Sequence, residues 1–69
     1  MFVGYLLEVW NKDNEKVLEQ NFENDLETAV GKAGRLAGVM TKGKGTVVIV
    51  KRYFNDSTHE VEDTDVLDI

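Results

Sequence analysis

The chain contains no cysteine and no proline, and His59 is its one histidine. Without cysteine there is neither a disulfide framework nor a thiolate metal site, and a single imidazole removes the commoner zinc arrangements. Any staple for the fold is therefore non-covalent. Long apolar runs are missing as well. The opening "MFVGYLLEVW" has no basic segment before it and meets Glu8 after a few apolar residues, too soon for a signal-peptide core or a membrane span. These absences lead us to expect a cytoplasmic protein, complete from Met1, with no membrane association. No nucleophile, cofactor fingerprint or metal-ligand spacing stands out, so we expect no enzyme, no cofactor and no metal.

What is present fits a single domain over residues 1–69. A domain of this size buries only about 60% of the surface its unfolded chain exposes, which leaves a lone core marginal and makes help from a partner plausible. Thirteen Asp and Glu against eight Lys and Arg give a net charge of −5, which repels nucleic acid at long range and favours basic partners. The charge comes in three blocks. Residues 1–27 hold seven acids and two bases, 28–55 hold no acid and six bases, and 56–69 hold six acids and no base.

Residues 2–10 and 16–22, rich in β-branched, aromatic and leucine side chains around the turn-like "NKDNE", predict a hairpin with a loop of about four or five residues. The period then changes. Asn24 followed by Glu27 fits a helix N-cap with its capping-box partner, and Asp25 places negative charge where the helix dipole favours it. Leu26, Ala29, Val30, Ala33, Leu36, Ala37 and Met40 share one face of a helix predicted from 25 to about 38, ended by "TKGKG". "TVVIVKRYF", 46–54, reads as a strand, and "NDST" as a turn into a last strand starting near "HEVE". The expected fold is α+β: ββαββ, a four-stranded antiparallel sheet of order 2-1-3-4 with one helix packed on one face.

In the third strand Val47, Ile49 and Tyr53 point one way and Val48, Val50 and Phe54 the other, because side chains alternate across a sheet. Both faces are apolar, and one helix covers one face. The other, with Phe2, Leu6 and Trp10 beside Val48, Val50 and Phe54, is the candidate interface of a homodimer. The competing expectation is a small twisted sheet that curls over its own second face, with the terminal "VLDI" beneath it. Gly31, Gly34 and Gly38 cluster on a bare flank of the helix, open to close approach by another backbone. Alternatively, Gly38 is a left-handed C′ residue and the other two are simply tolerated in a solvated face.

Other chemistry is thin. His59 among Glu60, Glu62 and Asp63 reads as a surface histidine, "KGKG" as a helix-ending loop and "DNE" as a plain turn. Tyr5, Trp10, Tyr53 and Phe54 read as core or interface aromatics. The outstanding stretch is "DSTHEVEDTDVLDI", with six acids. In a strand, alternate residues such as Glu60 and Glu62 share a face about 6.6–6.8 Å apart, close to the rise of two phosphates along one nucleic-acid strand. If the last hairpin turns tightly at Asp56 and Ser57, Lys51 faces Glu62 and Tyr53 faces Glu60, leaving Asp63, Asp65 and Asp68 without evident partners.

The length, the ββαββ order, the acidic charge and the leftover apolar face resemble small phage-encoded proteins that inhibit host machinery, among them acidic DNA mimics and anti-CRISPR proteins. The resemblance is architectural and rests on no motif. It implies a non-enzymatic module that sequesters a basic, nucleic-acid-binding host protein. Candidate contacts are Glu60, Glu62, Asp63, Asp65 and Asp68, with Glu19, Glu23, Asp25 and Glu27 as a second cluster. The alternatives are a direct nucleic-acid binder using Lys42, Lys44, Lys51, Arg52 and Tyr53, and a hydrophobic protein-interaction adaptor using Trp10 and Phe54.

Overall fold

A computed structural model of the chain describes residues 2–39 and 45–67. Two strands, β1 (Phe2–Asn11) and β2 (Lys16–Asn21), are followed by one helix, α1 (Leu26–Val39), and two further strands, β3 (Gly45–Phe54) and β4 (Val61–Leu67). The sheet is antiparallel throughout, in the order β2-β1-β3-β4. The fold is thus the α+β arrangement that the alternation and periodicity predict.

The strand pairs Leu7↔Ile49 and Val9↔Val47 set one face of β1 and β3 beneath the helix. Leu7 and Ile49 are completely buried against Ala29 and Ala33, whose small side chains let the helix backbone come close to the sheet. Burying a side chain such as Leu7 or Ile49 stabilises the fold by roughly 1.5–3 kcal/mol. Leu18, Leu26, Phe22, Leu36 and Leu67 pack around this nucleus. The buried stripe is narrower than the helical spacing suggests, because Val30 is 41% exposed and Ala37 is exposed too. Met40 lies outside the described residues, as do Lys42, Lys44, Asp68 and Ile69.

Three local expectations are corrected. The helix is capped by Asp25, not Asn24: its carboxylate accepts the Thr28 amide at 3.1 Å and the Thr28 hydroxyl at 2.6 Å. Glu23 turns the chain through a left-handed φ of 53°, and Asn24 is used up in that turn, its carbonyl accepting the Leu26 amide. Gly38 lies within α1 and has no left-handed φ, so it is not a C′ residue. In the last hairpin Lys51 faces Asp65 and Tyr53 faces Asp63, with a register shift between Tyr53 and Phe54. Glu60 stands outside β4 altogether.

The expected curl over the second face is not seen in β4 either. Val66 is 66% exposed on the helix-free face, and Leu67 packs on the helix side.

Candidate functional site

Two surfaces carry the side chains singled out in the sequence. The first is the sheet face away from the helix. Pairing puts Phe2 beside Phe54, Leu6 beside Val50, Glu8 beside Val48 and Trp10 beside Thr46, so Phe2, Leu6, Trp10, Val48, Val50 and Phe54 lie on this face together. β4 extends it with Val61 and Val66. The Phe2 and Phe54 rings stack at 4.9 Å with an interplanar angle of 9°, the Arg52 guanidinium lies 5.2 Å from the Phe54 ring centre, and His59 tilts against Phe2 at 5.6 Å. At the opposite end Glu8 accepts the Trp10 indole N–H at 3.2 Å and pairs with Lys16 at 3.4 Å.

The second surface is acidic, and topology assembles it from distant sequence. β1 begins, β2 ends, β3 ends and β4 begins at the same end of the sheet. Glu23, Asp25 and Glu27, at the β2-to-helix corner, therefore share that end with Glu60, Glu62 and Asp63. A groove of about 400 Å³, lined by Phe2, Gly4, Asn21, Glu23 and Phe54, lies between the two edges. A second depression of about 470 Å³ is lined by Tyr53, Glu62, Asp63 and Asp65. Glu19 does not join its expected cluster: it pairs with Lys16 at 3.2 Å, away from this end.

The acids of the β3–β4 side are exposed. Asn55 organises the loop between these strands: its side-chain oxygen accepts the amides of Ser57 and Thr58, and its side-chain nitrogen donates to Glu62 at 2.6 Å. Asp65 accepts the Tyr53 hydroxyl at 2.9 Å, a partner hidden from the sequence by the assumed register. Lys51 is held above the ordinary lysine pKa, chiefly by Tyr53 and least by Asp65. Asp25 is held below the ordinary aspartate pKa by the two hydrogen bonds from Thr28. Among the described residues, the ion pairs join Lys16 to Glu8 and Glu19, and none engages the acids between 23 and 27 or between 60 and 65.

Within β4 the carboxylates that alternate on one face are Asp63 and Asp65, not Glu60 and Glu62. Among the described residues, no three His, Asp or Glu side chains are placed to hold a metal ion, and no helix is long and apolar enough to cross a membrane. Gly4, which the sequence reading passed over, is buried beneath the Phe54 ring edge. A glycine inside an apolar strand is the signal that could have marked it. Comparison with known proteins finds no matching family model, no matching curated protein and no matching solved structure.

Proposed function

We propose that this chain is a non-enzymatic, cytoplasmic protein-binding module whose acidic end docks on the basic surface of a nucleic-acid-binding protein and blocks it, as the resemblance to phage-encoded inhibitors implies. The observation that carries the reading is the convergence of two acidic segments, 23–27 and 60–63, at one end of the sheet. Like charges gathered without an ion pair among the described residues cost stability, and a partner rich in lysine and arginine recovers that cost on binding. Glu23 adds support. It holds a φ of 53°, a conformation that costs a residue with a Cβ roughly 1–2 kcal/mol, where glycine would fit freely.

The rival of direct nucleic-acid binding fits the geometry less well. Lys51 and Arg52 are adjacent in β3 and project to opposite faces, and Lys51 stands beside Tyr53 and Asp65. They do not build one cationic track.

The test is a pull-down from bacterial lysate, washed at rising salt, followed by a gel-shift assay with the captured protein and DNA. Binding should weaken steeply as salt rises and in the variant E60Q/E62Q/D63N, and the chain should release DNA from its target. Salt-independent capture, or retarded DNA with the isolated chain alone, overturns the reading.

A further inference from the structure

The helix-free face of the sheet is the largest feature that the acidic reading leaves unused. We propose that a second copy of this chain covers it, the two sheets face to face with their strands antiparallel across a two-fold axis over Leu6 and Val50.

Charge selects this arrangement. Arg52 and Glu8 stand on the same face, two residues to either side of the Leu6–Val50 pair, since Gly4 faces Arg52 and Val48 faces Glu8. Arg52 has no ion-pair partner among the described residues, and its Nε is buried without a hydrogen bond. Glu8 is engaged by Lys16 and Trp10, but a carboxylate has acceptor capacity for an arginine as well. A two-fold across the strands at Leu6 brings the Arg52 level of one copy over the Glu8 level of the other, twice. A two-fold along the strands would instead set Glu8 beside Glu8 and Arg52 beside Arg52. The first is attractive and the second repulsive.

The apolar groups follow the same symmetry. Phe2 and Phe54 lie four residues to one side of the centre and Trp10 four to the other, so the stacked ring pair of each copy meets the indole of its partner. Val50, at the axis, meets its own copy.

The facing area is small. β1 and β3 overlap their copies over about eight residues, whereas β2 and β4, which occupy opposite ends of the sheet, overlap theirs only near the axis; at about 4.8 Å per strand and 3.3 Å per residue this gives about 300 Å² per copy, about 600 Å² in all. That is below the size of a stable interface and belongs to a weak, concentration-dependent dimer. Leu6 is already only 7% exposed, whereas Phe2 and Val66, at 41% and 66%, stand to gain most from cover.

The decisive measurement needs no variant. Trp10 and Phe2 stand at opposite ends of β1, eight residues and about 26 Å apart within one chain. In a mixed sample of labelled and unlabelled protein, an isotope-filtered NOE between the Trp10 indole and the Phe2 or Phe54 ring can arise only between copies. We expect that NOE, together with a dimer in sedimentation equilibrium between micromolar and millimolar protein. R52E and E8R should each weaken self-association at least about tenfold, and the double swap R52E/E8R should restore it. A monomer at millimolar concentration overturns the proposal, as does a dimer lacking the Trp10–phenylalanine NOE. Failure of the double swap to rescue folded single variants overturns the Arg52–Glu8 register. None of these results tests the acidic reading, because the interface is built without the carboxylates of residues 23–27 and 60–63.

Discussion

Gly4 shows how one missing side chain organises an end of the molecule. A Cβ built there would stand 2.9 Å from Cε2 of Phe54, closer than packed carbons tolerate. The Phe54 ring cannot move aside at no cost, because it is stacked on Phe2 and also carries the Arg52 guanidinium 5.2 Å from its centre. Overpacking of this kind costs about 1–3 kcal/mol, whereas alanine in a strand gains about 0.5–1 kcal/mol over glycine through the unfolded chain. The steric effect wins. G4A should therefore lower stability by about 1 kcal/mol in urea unfolding, and the same substitution in an F54A background should be neutral or stabilising. An equal loss in both backgrounds would mean that Phe54 is not what Gly4 makes room for.

The helix makes the opposite case. Gly34 and Gly38 lie inside α1, and a Cβ at either would meet nothing within 4 Å; at Gly31 the nearest atom is an Arg35 guanidinium nitrogen at 3.8 Å. Among the described residues nothing uses their smallness, so each leaves the helix short of the stability alanine would give. G34A and G38A should each stabilise the protein by about 0.5–1 kcal/mol, additively, read as a rise of several degrees in the melting temperature. Element by element, the strand order and the helix were legible because both depend on periodicity: Val47 to Phe54 alternate, and Leu26, Ala29, Ala33 and Leu36 recur at helical spacing. What periodicity does not encode was missed. Asn24 and Asp25 are both good caps, and the left-handed turn at Glu23 decides between them. The acidic partners of Lys51 and Tyr53 moved because Asn55 folds residues 55–60 into a longer loop and Glu62 lies in the register shift, neither of which a two-residue turn allows for. The candidate site was legible as residue types, and their meeting at one end was not, since it depends on that topology and register together.

At the scale of the whole molecule the sheet separates two kinds of surface: an apolar face at its back and a concentration of carboxylates at one end. The helix N-terminus, with its partial positive charge, offsets Asp25 and Glu27 in part. Among the described residues, no cation or helix N-terminus gives Glu60, Glu62 and Asp63 such compensation. Their side chains serve as hydrogen-bond acceptors at most, Glu62 for Asn55 and Asp63 for the Thr64 amide, and an amide oxygen can accept the same bonds. E60Q/E62Q/D63N thus removes charge while leaving the local hydrogen bonding possible, and the net charge moves from −5 to −2. Relief of mutual repulsion should make this variant more stable than the parent at low ionic strength. The difference should close as salt is added, because at 0.15 M the Debye length is only about 8 Å. Thermal unfolding of both proteins across a salt series provides the check, with the larger salt response belonging to the parent. A variant less stable than the parent at every salt concentration would mean that these carboxylates hold the fold together, and the acidic end would then be part of the scaffold instead of a surface kept for a partner.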